Sequence, residues 1–311
     1  MKIGICISTF QRPKQLDELL SSIDHQIEID DVELQVIIVD NDILGSAERV
    51  ARKYMTDHKF STTYFIESKR GIPQSRNRAF SLLNKSTDFV IFVDDDEVVD
   101  KDWISQFLIL QKESNSDVLC GPVYLKYEVQ PPKWLIQGGY LDHGNYSSVS
   151  SGQTLTYQHV RTGNLFVKYD CLKNMEGPFN ESFALTGGED TNLGYRLEAF
   201  GYKICWAKNA VTHEFIPENR MKLKYILLRH FRIANTEYDI SIGSKGSLGL
   251  MKQFAQGCSR IVIGLLILPI SCVFSLFRGW HLAVDQLKLI TRGLGFVARS
   301  FGFRYNLYAM N

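Results

Sequence analysis

Phe89-Val90-Ile91-Phe92-Val93-Asp94-Asp95-Asp96-Glu97 is an apolar run that ends in consecutive carboxylates. An unbroken apolar run of this length is what a strand covered on both faces requires, as in a parallel sheet flanked by helices. Adjacent carboxylates at the end of such a strand repel one another and lose hydration, so a cation is needed to offset them. A solvated acidic turn is the ordinary alternative, but it leaves the apolar character of the preceding strand unexplained. Hard oxygen ligands suit Mg²⁺ or Mn²⁺, which joins one or two protein carboxylates to substrate phosphates. In an extended segment Asp94 and Asp96 would face one way and Asp95 the other.

The flanking sequence repeats the theme. Residues 3–8, 34–39 and 62–66 read as strands, and residues 14–24, 46–54 and 73–83 as helices, with Leu16, Leu19, Leu20 and Ile23 on one side of the first helix. This alternation implies right-handed crossovers and a mostly parallel α/β sheet, whose ligands sit beyond the carboxyl ends of the strands. Polar residues fall at those ends: Ser8-Thr9-Phe10, Asp40-Asn41-Asp42 and the acidic run. Neither GxGxxG after the first strand nor GxxxxGK[ST] is present, which excludes a dinucleotide fingerprint and a P-loop.

With 311 residues, 45% hydrophobic and 22% charged, the chain is neither disordered, nor fibrous, nor a disulfide miniprotein. Its 35 Lys+Arg balance 34 Asp+Glu, so no global field recruits nucleic acid. The cysteines are isolated, without a CxxC pair, as in a reducing compartment. The first residues meet polar Ser8-Thr9 too soon for a secretory signal, which places the expected catalytic part on the cytosolic side. From residue 243 onward Asp285 is the only acid, among Lys245, Lys252, Arg260, Arg278, Lys288, Arg292, Arg299 and Arg304. Residues 261–277 are uncharged, at the short limit for crossing hydrocarbon, and contain Pro269. Basic flanks with Phe277 and Trp280 suit a membrane anchor, spanning or interfacial, with the core helix of a soluble domain as the ordinary alternative, and residues 280–308 carry Leu282, Leu287, Ile290, Leu294 and Val297 near helical spacing, as an amphipathic helix on anionic lipid would. The expected organisation is a catalytic domain at 1–240, with halves at 1–120 and 121–240, and a membrane-associating segment at 241–311.

Five stretches then carry a resemblance: Ile5-Cys6-Ile7-Ser8-Thr9-Phe10-Gln11-Arg12-Pro13, Val36-Ile37-Ile38-Val39-Asp40-Asn41-Asp42, Gly71-Ile72-Pro73-Gln74-Ser75-Arg76-Asn77, Asp94-Asp95-Asp96 and Gly187-Gly188-Glu189-Asp190-Thr191-Asn192. In this order the chain resembles the GT-A-fold glycosyltransferases of family 2. Tyr195-Arg196-Leu197, Val211-Thr212-His213-Glu214 and Pro217-Glu218-Asn219-Arg220 make it most similar to the succinoglycan-type exopolysaccharide branch.

The resemblance implies a role for each matching residue. Thr9 and Asp40 would hold the base, usually uracil, whose imide N–H suits a carboxylate. Arg76 would brace that pocket, reaching Asp40 or the base, and Arg12 and Arg70 would contact the diphosphate. Asp94 would bind the ribose with Asp95 beside it, and Asp96 would hold Mn²⁺ or Mg²⁺, with His213 as second ligand or as an ordinary hydrogen-bonded histidine. Glu189 and Asp190 open a helix, where acids can simply cap. In the catalytic reading Asp190 is the general base and Glu189 orients the acceptor hydroxyl or shares the role, which inverts the anomeric configuration. Gly163 and Asn164 would line the donor-sugar pocket, and Gly188 would admit the sugar close to the backbone or simply form a flexible turn. Trp134, Tyr140 and Tyr146 would stack on pyranose rings or pack a loop. The expected activity is hexosyl transfer from a UDP-sugar to a saccharide, such as a lipid-linked oligosaccharide, at the cytoplasmic face of the plasma membrane. A metal-dependent nucleotidyltransferase and a non-catalytic membrane-bound sugar-binding protein are the other classes compatible with these features.

Overall fold

A computed structural model describes residues 1–56, 58–142, 148–237, 239–240 and 246–306; Tyr146 and the end of the expected 280–308 helix lie outside them. The chain forms two compact units. The first comprises Met1–Tyr124, Asn145–Ala184 and Glu189–Glu214, and the second Leu125–Gly144, Leu185–Gly188 and Phe215–Asn311.

The elements run β1 Lys2–Thr9, α1 Pro13–Asp24, β2 Glu33–Asp40, α2 Glu48–Lys53, β3 Phe60–Ile66, α3 Ile72–Ser81, β4 Phe89–Asp94, β5 Glu97–Val99, α4 Trp103–Ser114 and β6 Val118–Cys120. They continue with β7 Val123–Tyr127, α5 Lys133–Gly138, β8 Leu165–Lys168, α6 Tyr169–Lys173, α7 Glu189–Ala199, β9 Ile204–Trp206, β10 Thr212–Ile216, α8 Leu223–Glu237, α9 Gly246–Arg278 and α10 His281–Ser300. The first unit is built on a seven-stranded sheet in the order β3-β2-β1-β4-β8-β6-β9. β1 pairs in parallel with β2 and β4, and β2 with β3, whereas β8 runs antiparallel between β4 and β6.

Helices cover both faces, which is why the strands carry continuous apolar runs. On one face Leu16, Leu19, Leu20 and Ile23 of α1 are fully buried against Ile5, Ile7, Val36, Ile38 and Ile91. Each such burial contributes about 2 kcal/mol, so the stripe read from the sequence fixes α1 to the sheet. Ala79 and Phe80 of α3 and Leu193 and Leu197 of α7 pack the other face. The register that pairs Thr9 with Asp40 and Ser8 with Asp94 brings the three strand ends to one rim.

The second unit groups α5, α8, α9 and α10. Its apolar cluster joins Leu135, Tyr140, Ile216, Ile226 and Val284. The division therefore does not follow the expected boundary at residue 240. α8 belongs with the C-terminal helices because Ile226 shares its apolar cluster with Val284 of α10, and Asn235 Nδ2 donates to the Gly295 carbonyl at 3.2 Å.

Candidate active site

β4 ends at Asp94, and the chain turns through Asp95 and Asp96 before β5 begins at Glu97. The acidic run is thus not extended, and the expected alternation does not hold. Instead Arg12 Nη1 donates to both Asp95 and Asp96, at 2.8 Å each, from the residue that precedes Pro13 and α1. Thr9 Oγ1 donates to Asp95 at 2.8 Å. Burial raises the Asp95 carboxyl above its ordinary range, against the opposing pull of Arg12 and Thr9. Burial also works against the Arg12 charge, but Asp95 and Asp96 more than restore it.

Arg76 ties the acidic turn to the second acidic motif. α3 is set in place by a clasp in which the Gly71 N–H donates to Asn41 Oδ1 at 2.8 Å, while Asn41 Nδ2 donates to the carbonyls of Glu67 and Lys69. Gly71 has φ of 140°, a conformation open to glycine. One turn on, Arg76 Nη2 donates to Asp94 at 2.6 Å and Nη1 to Glu189 at 2.7 Å. Burial disfavours the guanidinium charge, and Asp94 and Glu189 reverse that and hold it protonated. Asn77 exchanges hydrogen bonds with the Phe179 backbone at 2.7 and 2.9 Å, fixing the loop that leads toward α7.

Asp40, the expected partner of Arg76 or of the base, is committed elsewhere. It is fully buried and accepts from the N–H groups of Asp42 and Ala47 and from the Tyr64 hydroxyl, at 2.8 to 2.9 Å. It seals the turn after β2. Arg70 stacks over Phe10 at 4.9 Å, beside Thr9 in sequence.

His213 pairs with Asp100. Its Nε2 lies 3.0 Å from Asp100, and in β10 it faces the side opposite to Glu214, as the two-residue period demands. Glu214 is in register with Glu97 of β5. Burial first, and then the charges of Asp94, Glu214 and Asp96, push the Glu97 carboxyl well above its ordinary range. No sequence pattern marks Glu97 and Glu214 as partners, because the pairing that opposes them exists only in three dimensions.

Gly163 sits so close to Glu97 that a Cβ would collide with its carboxylate, which explains the glycine. Asn164 is a scaffold residue rather than a lining one: it accepts from Trp103 Nε1 at 2.8 Å and donates to the carbonyls of Pro122 and Ala210, with 1% of its surface exposed. Glu189 and Asp190 open α7 as expected. Asp190 is half-buried and accepts through Oδ1 from the Thr191 N–H at 2.6 Å and from its hydroxyl at 3.2 Å. Gly188 has φ of 99°, and a Cβ there would come within 3.0 Å of Thr236 and Ile240. Trp134 and Tyr140 lie in the second unit, 5.8 Å apart in its apolar cluster, with the Tyr140 hydroxyl donating to the His281 carbonyl.

Among the described residues, no three His, Cys, Asp or Glu side chains form a ready-made metal cage. An ion shared with substrate phosphates and water needs only one or two carboxylates. Glu97 facing Glu214 beside Asp94 and Asp96 is an acid-rich, all-oxygen donor set that fits such an ion.

The chain is similar to known proteins over most of its length. Residues 4–175 match the sequence profile of Glycosyl transferase family 2. The succinoglycan biosynthesis protein ExoM of Rhizobium meliloti is 30% identical over 237 residues, 75% of this chain and 72% of that protein. Chondroitin synthase of Pasteurella multocida is 25% identical over 227 residues, 64% of this chain but 23% of its own length. Among solved structures, the mannosyltransferase PcManGT from Pyrobaculum calidifontis, in complex with GDP-Man and Mn²⁺, superposes with a TM-score of 0.60 at 14% identity, covering 95% of this chain and 86% of that one. TarS 1-349 of S. aureus in complex with UDP gives 0.55 at 16% identity, covering 98% and 93%. These likenesses identify the architecture as the GT-A fold.

Proposed function

The chain belongs to glycosyltransferase family 2, and we propose that it moves a hexose from a UDP-sugar to a saccharide acceptor with inversion at the anomeric carbon. The observation that carries this reading is the Arg76 bridge, which holds the acidic turn and the start of α7 at one place. Transfer by direct displacement needs both: a site for the departing nucleotide and a carboxylate that takes the proton of the attacking hydroxyl. Asp94 binds the ribose, and Thr9 and Arg12 organise the turn beside it. Asp96 would hold Mn²⁺ or Mg²⁺, and an ion there would supply Lewis-acid stabilisation for the charge on the departing diphosphate. Glu189, gripped by Arg76, orients the acceptor hydroxyl. Asp190 uses Oδ1 at the helix start and takes the proton at Oδ2. Attack opposite the leaving group turns an α-linked donor into a β-linked product.

The acceptor we propose is a lipid-linked oligosaccharide of exopolysaccharide assembly, at the cytoplasmic face of the plasma membrane. Similarity to a succinoglycan biosynthesis protein and the apolar α9 support it. Purified protein given a panel of UDP-sugars with Mn²⁺ or Mg²⁺ should release UDP. Asp190→Asn should retain the fold and lower turnover by about 10²- to 10⁴-fold. Release of pyrophosphate instead of UDP would identify a nucleotidyltransferase, no release a binding protein, and full activity in Asp190→Asn would remove that residue from the mechanism.

A further inference from the structure

α9 is built inside out. Its buried positions are Gly249, Gln253, Gly257, Gly264, Ser271 and Ser275, one stripe of small and polar residues. Its large apolar residues point away from the protein, with Leu248 77%, Leu266 70%, Ile270 58%, Phe274 52% and Phe277 83% exposed. A helix on a water-soluble surface has the reverse arrangement, and an exposed apolar face of this extent marks an interaction surface.

The buried stripe is occupied along its length by α10. A Cβ on Gly257 would stand 2.8 Å from the Gly293 carbonyl, and one on Gly293 would stand 2.7 Å from that of Gly257. Near the other end the Ala283 N–H donates to Ser275 Oγ at 3.2 Å. α10 is in turn pinned to the end of α8 and the residues after it by Arg292 with Glu237 at 3.0 Å and Arg299 with Asp239 at 2.5 Å.

We infer that α9 lies flat in one leaflet of a lipid bilayer, its outward face sunk to the acyl boundary, and does not cross the membrane. The inference rests on the membrane association proposed above and adds its geometry. A crossing would take α10 with it and bring Asp285, Lys288 and Arg292 into hydrocarbon, where charges are strongly disfavoured. The alternative, stripping α9 from α10, would lose the close Gly257–Gly293 approach. Lying flat requires neither. Length agrees: 33 residues extend about 50 Å against about 30 Å of hydrocarbon. Lipid is the occupant that fits, because the charges of α9 are all basic, at Lys252, Arg260 and Arg278, and match anionic headgroups. Exposed Trp280, Phe301 and Phe303 supply the aromatic groups that favour the interface.

The full chain, with Cys258 and Cys272 changed to Ser and carrying either Ser247→Cys or Arg278→Cys, would be bound to preformed phosphatidylethanolamine–phosphatidylglycerol vesicles and treated with a membrane-impermeant maleimide. The remaining cysteines are buried. Both ends of α9 should label from the outside, to within twofold of the level reached after detergent. Protection of either end until detergent is added would overturn the flat orientation while leaving membrane association intact. Failure of the protein to float with the vesicles would instead remove the membrane reading itself. The double variant Leu266→Lys, Phe274→Lys should reduce flotation at least tenfold with UDP release unchanged. Undiminished flotation, or loss of a dimer in its place, would assign the face to something other than lipid.

Discussion

In the α/β unit charged side chains are turned inward, whereas in the helical unit apolar ones are turned outward. Asp95, Glu97, Glu189 and Arg76 lie buried at the end of a sheet, and Leu266, Phe274 and Phe277 stand exposed along a helix. Both arrangements oppose what stabilises an isolated chain in water, but they are tolerated differently. Buried charges persist where another charge is within hydrogen-bonding distance, as Arg12 and Arg76 are. Exposed apolar surface has no such internal remedy, since only another apolar phase can cover it. Where Arg12 and Arg76 reach, the first departure is resolved within the fold, and the second calls for a partner outside it.

The most severe way to break this contrast is to remove Arg76. In Arg76→Ala, Glu189 is left 6% exposed without the guanidinium that balances it. Loss of one partner from a buried pair costs about 3–5 kcal/mol. Urea unfolding should show this loss, and UDP release should fall further than in Asp190→Asn because both acidic motifs lose their positioning. Arg76→Lys cannot make two directed bonds to separate carboxylates, so it should restore part of the stability and little of the turnover. Wild-type stability in Arg76→Ala would mean that the bridge does not fix α7.

The sequence shows why this contrast is only partly foreseeable. The sheet was legible because its strands are apolar on both faces and its helices carry one-sided leucine spacing, local properties that survive without knowledge of partners. The antiparallel insertion of β8 between β4 and β6 was not, since strand order depends on long-range pairing. At the site, the motif residues could be named, but their partners could not. Arg76 reaches Asp94, 18 residues away, and Glu189, 113 residues away, while Asp40 is saturated largely by backbone N–H groups that no side-chain pattern announces. Three consecutive acids likewise carry no local signal of the turn at Asp95 and Asp96. In the tail, hydropathy revealed an apolar helix, but the inward stripe of glycine and serine acquires meaning only with α10 against it.

His230 tests the helical unit from its polar interior. Both ring nitrogens of this α8 residue are buried without a hydrogen-bond partner among the described residues. Burial, followed by Lys288 and Arg292 of α10 and neighbouring Arg229, pushes its pKa down to about 4. The depressed value means that the neutral ring supports folding above the unfolded pKa of 6.5, and that this support is lost as pH falls toward 4. The loss should be about 2 kcal/mol, below the full linkage value because solvent screens part of the ring. His230→Gln should flatten thermal stability between pH 7 and pH 4.5 relative to wild type. Equal acid sensitivity in the two proteins would locate the effect elsewhere.

The smallest expected effect comes from Glu97, the buried carboxylate of the α/β unit that faces another acid rather than an arginine. Its raised folded pKa means that ionisation opposes folding, so the penalty is absent at low pH and grows as pH rises past the unfolded value of 4.5. Glu97→Gln keeps an acceptor for the Asp94 N–H, which lies 3.4 Å from Glu97 Oε2, and removes the repulsion from Asp94, Glu214 and Asp96. In EDTA at pH 7 the variant should be more stable than wild type by about 1 kcal/mol, seen as a rise in Tm of about 2–4 °C. At pH 5 the difference should shrink. Saturating Mn²⁺ should raise wild-type Tm more than that of the variant, because a cation removes the same repulsion that the substitution does. A variant less stable than wild type in EDTA at pH 7 would show that these acids are already balanced within the fold and have no need of an ion.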